Sequence, residues 1–489
     1  MIRNGFDIAN GTVLSTQVCV VGSSAAGVTV AWELQKAGIQ VILIEGSRPY
    51  PTMQDSWADK TLLYNGEALG LFATNEPDFL ILPDNDPRTP AWERERTYGG
   101  TSAHWGGQSR PEDPVDLAAR PNFPGWPVDR TELDPFYARA SELLRLHGGF
   151  HPDGRNFSNE FWANILKAKA PSLPGFDTEM YQFVGSKYRN FATRKFDDGK
   201  TIGDTGVDVI QNASLLDIGH HDGNVQELRV ASMDKSIPPQ KATEFTIKAD
   251  VVVLACGAVA NARQLLLSDI GNEHDQVGRY FMCHPLSAGP AVFVNGTYLT
   301  DAESRFMAGK TPLQGTWTDE NGVRVSGRFI PNAETVAPGI GRCWFWAGGG
   351  QYYYEPVPVA DSRITLADTV DPVFGQRQTR IYWELSDIDQ QTYETTTALF
   401  QNVVSTSVDF LPWEQVKAQL MVNGHHIGAA RMSDKPEDGV VDRNLRVHAM
   451  KNLYVAGSGV YPTAGISNPT FTITMFSIRL ADHLKTVLT

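Results

Sequence analysis

His425 and Asn468 are the residues of this chain whose types and settings best suit proton transfer. His425 opens the run His425-His426-Ile427-Gly428-Ala429-Ala430-Arg431-Met432, at a hinge between regular elements. An unperturbed imidazole titrates at about pH 6.5, so it can accept a hydroxyl proton at neutral pH. His426 is a neighbour of the same type, and either ring alone reads more readily as a structural histidine. Asn468 precedes Pro469 and Thr470, and proline favours the first position of a helix. The terminal helix is therefore expected to begin at Asn468 and to run over Pro469–Val487, its positive end available to a group that gains negative charge. Gly457 and Ser458 follow the short apolar run Asn452–Val455 and suit a close approach of backbone to a ligand.

The elements that must position a cofactor lie at the other end of the chain. Gln17–Val21 reads as a strand, Ala25–Lys36 as a helix closed near Gly38, and Gln40–Ile44 as a second strand, a β-α-β unit. The turn is Gly22-Ser23-Ser24-Ala25-Ala26-Gly27. Gly22 permits the tight turn, Ser24 stands where a second glycine is usual, Ala25 opens the helix, and Gly27 lets helix and strand touch. The helix start offers free N–H groups to a pyrophosphate. Glu45 ends the second strand; its carboxylate can accept both ribose hydroxyls and would repel a 2′-phosphate. The bland alternative is an ordinary β-α turn of small residues. A second glycine-dense segment, Tyr98–Gly107, contains Gly99, Gly100, Thr101, Trp105 and Gly106. It suits backbone pressed against a flat ligand such as an isoalloxazine ring, or else a surface loop. His104 within it is open to three readings: a packed core histidine, a flavin contact or a covalent flavin anchor. Gly257 ends the apolar strand Asp250–Ala255 before a helix over Ala258–Ser268, in the crevice where ligands bind, although packing alone explains it as well. A nucleotide site at one end and an acid–base pair at the other imply oxidation of an alcohol by a flavin.

The 489 residues imply two or three domains, and 42% hydrophobic with 20% charged residues is ordinary for a globular protein. The net charge of −14 disfavours nucleic acid and anionic membranes as partners. Four cysteines without CxxC spacing predict reduced thiols in or near the core, and no metal site. There is no apolar run of about 18 residues and no apolar leader, so the expectation is a cytoplasmic protein with no membrane span. Pro135–His147 reads as a helix, and Val207–Leu216, Val225–Ala231 and Glu244–Lys248 as a small meander. Segment 61–94 is a long patternless loop, a candidate active-site lid. From Ser287 to Gln419 the text turns to alternating, aromatic-rich strands with a helix near 387–408. The expected fold is α/β: a Rossmann-like domain from 1–60, 95–145, 200–286 and 436–489, and an α+β second domain from 146–199 and 287–435 with a mostly antiparallel sheet flanked by helices. In the second domain Gln351, Tyr353 and Glu355, with Tyr352 and Tyr354 between them, could stack on and bond a sugar, or be solvated strand ends.

The ordered series GSSAAG with Glu45, GGTSAHWGG, ACGAVANARQLLL, VGRYFMCHP, SRITL, HHIGAARMS, VVDRNLRVHAMKNLYVAGSGVYP and SNPTFTIT resembles the glucose–methanol–choline (GMC) oxidoreductases from about residue 15 to 485. The resemblance implies a two-domain flavoprotein that binds FAD and oxidises alcohols by hydride transfer to flavin N5, with His425 and Asn468 as its catalytic pair. Within the family the chain looks most like pyranose oxidases and bacterial glycoside 3-oxidases, which implies oxidation of a secondary hydroxyl at C2 or C3 of a sugar or glycoside, with oxygen or a quinone-type acceptor taking the electrons. Ala103 stands before His104 where the fungal enzymes that attach FAD through histidine carry threonine, which leaves a covalent link open. A non-sugar alcohol as substrate, or an FAD-binding protein without chemistry, are the alternative expectations.

Overall fold

The computed structural model describes residues 1–47, 79–80, 97–103, 105–166, 173–236, 240–287, 324–332, 334–346, 351–371, 373–403, 410–417, 420–421 and 424–488. The expected lid, 61–94, lies outside the described residues except for Phe79–Leu80, and so does His104. Among the described residues no helix is long and apolar enough to cross a membrane.

An eight-stranded sheet is built around Val13–Val21, whose last four residues are apolar and buried, as a strand covered on both faces must be. Val41–Glu45 pairs with it in parallel on one side and Lys241–Leu254 on the other. Asp208–Gln211 and Ile2–Asn4 extend the parallel set beyond Val41–Glu45. Leu453–Val455 pairs in parallel with the last residues of Lys241–Leu254, and the hairpin Ser214–His221 and Asn224–Met233 pairs antiparallel with its first half.

Three expectations are corrected here. Glu244–Lys248 and Asp250–Ala255 are one strand, Lys241–Leu254; the polar residues Lys248 and Asp250 that suggested a break simply occupy its exposed face. Val207–Leu216 is two strands, because Asn212 takes φ +54° and its amide bonds both Met233 N–H and Met233 C=O. The helix expected at Pro135–His147 is Arg130–Leu144; it starts a turn earlier, capped by Asp129, whose side chain accepts from Glu132 N.

Ala25–Lys36 and Pro469–Val487 pack against each other, and Pro469–Val487 also packs on Arg130–Leu144. The second sheet has seven strands, all antiparallel to their neighbours: Gln108–Ser109, Phe176–Phe183, Arg324–Pro331, Cys343–Trp346, Gln351–Tyr354, Leu286–Ser287 and Leu420–Met421. Alternation along two of them decides what each face carries. Cys343, Phe345, Tyr352 and Tyr354 join a core completed by Tyr393 and Phe400 of the helix Asp387–Val403. Trp344 and Tyr353 point to the other face, with Tyr181, Ile330 and Ile466. A three-stranded sheet, Arg363–Val370, Arg377–Tyr382 and Phe79–Leu80, completes the architecture.

Helix Ala25–Lys36 lies so close to the first sheet that a Cβ on Gly27 would collide with the Gly22 carbonyl oxygen and press on Val20 Cγ1 at 3.2 Å. Gly27→Ala should therefore destabilise the protein by about 1–3 kcal/mol, as overpacking does. Urea denaturation checks this; an unchanged midpoint would mean the helix moves away without cost.

Candidate active site

The parallel register brings three strand ends level: Val21 lies opposite Leu254, and Leu254 opposite Val455. Each is followed within three residues by a glycine in the left-handed region, Gly22 at φ +106°, Gly257 at φ +88° and Gly457 at φ +114°. Gly22 is forced by crowding, since a Cβ there would sit 2.5 Å from Ala255 O. Gly257 and Gly457 have nothing within 4 Å of the same position, because they face a cavity of about 480 Å³. Four short elements and helices begin on this cavity, at Ser24, Gly257, Gly457 and Asn468, and none is closed by its own side-chain cap. Unmade caps leave N–H donors for a ligand, anionic or polar. Asn261 ties two of these ends together, accepting from Cys256 N at 2.9 Å and donating to Ala456 O at 3.0 Å.

At one end of the cavity, Glu45 is buried and accepts from Ser23 N at 3.2 Å, Ser23 Oγ at 2.5 Å and Ser47 N at 3.0 Å. Ser23 Oγ in turn accepts from Gly99 N at 2.9 Å. One hydroxyl thus joins the first glycine turn, the acid and the second glycine segment.

At the other end His425 Nε2 lies 3.2 Å from the amide nitrogen of Asn468. The Asn468 side chain leaves its own helix uncapped and turns to the imidazole instead. Its Oδ1 is buried without a hydrogen-bond partner among the described residues. His425 Nδ1 meets two groups, the hydroxyl of Tyr353 and His284 Nδ1, the latter at 3.1 Å. Burial, and then the neighbouring His284 and His426, hold the His425 pKa well below the ordinary imidazole value, so the ring is neutral at physiological pH. The hydroxyl of Tyr353 is likewise neutral, its pKa raised by burial. His426 also lines the cavity; its ring packs on Phe281 with centroids 5.6 Å apart, and its carbonyl accepts from Ser458 Oγ at 2.6 Å.

Among the described residues, the cavity wall includes His425, Asn468, Tyr353 and every residue expected to hold the cofactor except Gly27 and Gly99. Gly27 packs helix on strand, and a Cβ on Gly99 would strike the Asn190 amide. The Gln351 side chain lies outside the described residues. Glu355 is corrected: it does not line the cavity. Its carboxylate is fully buried, holds Arg120 at 2.8 Å through both oxygens and accepts from Gly465 N at 3.2 Å. Sequence reasoning missed Ser23, His284, and Phe374 with Gln376, the last two lining the cavity from the turn between two strands of the third sheet. A polar residue inside the apolar run Phe281-Met282-Cys283-His284 was a signal for His284; nothing local marks Phe374.

Comparison with known proteins agrees with this geometry. The family model for GMC oxidoreductase matches residues 358–477. The 2-methyl-1,2-propanediol dehydrogenase of Mycolicibacterium austroafricanum is 21% identical over 96% of this chain and 95% of its own. The C-glycoside 3-oxidase of Microbacterium trichothecenolyticum is 24% identical over 83% of this chain and 78% of its own. The crystal structure of formate oxidase superposes with a TM-score of 0.61 at 16% identity, covering 98% of this chain and 99% of that one. The chain is thus similar to GMC oxidoreductases, through the family model over residues 358–477 and through relatives at 21% and 24% identity over most of its length. It is an FAD-dependent oxidoreductase. The residues present fit FAD: uncapped helix starts, glycines opening onto space, and an orphaned amide oxygen all converge on one cavity.

Gly106 lines the cavity with nothing within 4 Å of its Cβ position, and it needs no left-handed φ. Gly106→Leu should fill that space without backbone strain. FAD content per chain should fall at least about ten-fold with the far-UV circular dichroism unchanged, since displaced contacts of about 1.4 kcal/mol suffice for that factor. Full retention of FAD would mean the cofactor leaves this part of the cavity free.

Proposed function

We propose that this protein oxidises a secondary hydroxyl, at C2 or C3, of a pyranose sugar or glycoside to the keto-sugar, and passes the electrons to oxygen or a quinone-type acceptor. The observation that carries this is the neutral His425 held 3.2 Å from Asn468 at the end of the cavity. FAD, once bound, supplies the two-electron acceptor for the carbon-bound hydrogen. Residues 1–60, 95–145, 200–286 and 436–489 would hold it, with Ser24, Ala25 and Gly22 at the pyrophosphate, Glu45 at the ribose, and Gly100, Thr101, Trp105, Gly257, Ser458 and Thr470 along its length. Residues 146–199 and 287–435 would present the substrate.

His425 Nε2 takes the hydroxyl proton, which needs a ring that is already neutral. Asn468 bonds the same oxygen and sets its angle, so that proton removal and loss of the carbon-bound hydrogen coincide. A sugar is favoured over a bulky apolar alcohol by the wall beside the pair, where Trp344 and Tyr353 stack at 4.6 Å and 16° and offer a flat aromatic face with a polar rim. The similarity to a C-glycoside 3-oxidase supports the same choice. The similarity to a diol dehydrogenase favours a second reading, a small non-sugar alcohol. Anaerobic bleaching of the flavin by a panel of sugars, glycosides and diols separates the two, and NMR of the product assigns the oxidised carbon. A panel in which only diols bleach the flavin excludes the sugar reading.

His425→Ala should slow flavin reduction at least about 100-fold with FAD retained, as loss of a general base does. Asn468→Ala should cost less and His426→Ala least. A larger effect at His426 than at His425 would assign the base to the wrong ring. Because the His425 pKa is lowered, its neutral form persists as pH falls, and flavin reduction should stay level from pH 9 down to about 6.5, the unperturbed value. An acid limb centred at pH 7 or above would contradict a depressed pKa.

A further inference from the structure

The sheet that carries Tyr353 also carries Gln108, on its edge strand, and register decides which way Gln108 faces. Gln108 pairs with Phe183, and on the same middle strand Glu179 pairs with Arg328. Paired residues share a face of a sheet, and so do residues two apart on one strand. Gln108, Phe183, Tyr181, Glu179 and Arg328 therefore lie on one face. It is the face of Trp344 and Tyr353, since Tyr181 clusters with both. Gln108 and these two rings line the cavity. The strand Gln108–Ser109 also packs on Pro469–Val487, the helix that Asn468 opens, and Arg110 Nη1 lies 3.5 Å from Ser467 Oγ. Gln108 thus enters the cavity from a strand that shares its face with Tyr353 and packs on the helix of Asn468.

The amide of Gln108 is held in one orientation. Arg328 Nη2 lies 3.2 Å from Gln108 Oε1. A guanidinium nitrogen can only donate, so only the amide oxygen can face it. Arg328 itself is pinned. It is buried, its guanidinium lies 4.6 Å from the Trp344 ring centroid and 5.3 Å from that of Tyr181, and Nη1 donates to Gly327 O at 2.8 Å. The other end of the amide, Nε2 with its two hydrogens, makes no hydrogen bond among the described residues, and the half-buried side chain stands on the cavity wall. Trp344, on the same wall, has a second unmet donor: its Nε1 is buried without a hydrogen-bond partner among the described residues. Donors left over in a cavity wall suit a ligand that brings oxygen acceptors. We propose that Gln108 is a specificity-determining residue whose Nε2 donates to a substrate oxygen other than the one that reacts, so that the site selects alcohols carrying a second oxygen over monohydric ones. Arg328 is its positioning residue. The acceptor is assigned to the substrate because Gln108 shares its sheet face with Tyr353, which meets His425. The proposal rests on oxidation of an alcohol at His425 and Asn468, and it applies to a sugar, a glycoside or a diol.

The test compares alcohols that differ by one oxygen, through anaerobic flavin reduction in the holoenzyme. The pairs are propane-1,2-diol with propan-2-ol, and methyl β-D-glucopyranoside with those of its monodeoxy forms that still react. In the wild-type enzyme kcat/KM should be at least about ten-fold lower for the analogue that lacks the partner oxygen. Gln108→Leu should lower kcat/KM for the parent at least about ten-fold and for that analogue less than about two-fold, with FAD content and flavin absorbance unchanged. Gln108→Glu is nearly isosteric, keeps an oxygen for Arg328 and loses the donor, so it should lose the same selectivity. Arg328→Met should weaken that selectivity, yet add little when combined with Gln108→Leu, because it acts through Gln108. A wild-type enzyme that treats propan-2-ol and the deoxy sugars like their parents overturns the proposal. An equal loss for every substrate in both Gln108 variants overturns it too, and a shifted flavin absorbance beside that loss would assign Gln108 to the cofactor. If only the diol bleaches the flavin, the sugar reading fails while the diol pair still tests Gln108. If none of these alcohols bleaches it, both fail.

Discussion

The constraint on which the rest depends is the level alignment of three parallel strand ends. Val21, Leu254 and Val455 come from distant parts of the chain, yet backbone pairing sets them side by side. The pairing continues past the strands, with Ala255 N on Val21 O and Ala456 N on Leu254 O, both at 2.8 Å. Beyond that point each chain must turn, and each turns through a glycine. What a side chain would fill becomes cavity, and what a side chain would cap becomes a row of free N–H donors. The site is thus made largely of main chain, which explains why it needs so few distinctive side chains.

The end of the site at His425 is built differently, from side chains. His425 lies two residues before the Ile427–Met282 bridge and Asn468 opens the helix Pro469–Val487, while Tyr353 and Trp344 come from the second sheet. The second sheet can contribute only because alternation turns Tyr353 inward and sends Tyr352 and Tyr354 to the helix face. A buried cluster of charges holds the two parts in register. Arg342 binds Asp113 and Asp116 at 2.7 Å each, and Arg120 binds Glu355 at 2.8 Å. Such pairs contribute little net stability once their desolvation is counted, but breaking one leaves an uncompensated buried charge. Their effect is to fix geometry, and Gly465, gripped by Glu355, carries that fixation to within a few residues of Asn468.

What was legible in the sequence was whatever the backbone demands. Gly22, Gly27, Gly257, Gly457 and the Asn468-Pro469 helix start all answer local steric questions, and local pattern found them. Ala25–Lys36 and Pro469–Val487 were legible to their last residue for the same reason. What was not legible depends on which face a residue shows or on what lies across the fold. Glu355 was read as a sugar ligand from its polarity, and composition cannot say that it would meet Arg120 instead. The strand Lys241–Leu254 was cut in two because exposed Lys248 and Asp250 look like a break when only the sequence is seen. His284 had a place in a motif but no visible partner there, since the ring it meets is 141 positions away.

The surroundings of His425 make opposing demands on it. A base must be neutral before the reaction and must tolerate a positive charge during it. Burial among His284 and His426 meets the first demand by depressing its pKa, and by itself that would oppose the second. For the proposed base, the Tyr353 hydroxyl on Nδ1 eases the conflict, because a hydroxyl donates or accepts with equal ease and can turn its lone pair to the N–H of an imidazolium. Hydrogen bonds from charged donors are roughly twice as strong as neutral ones, so such a contact strengthens as the charge develops and contributes more to the transition state than to the ground state, which is the condition for an interaction to accelerate a reaction.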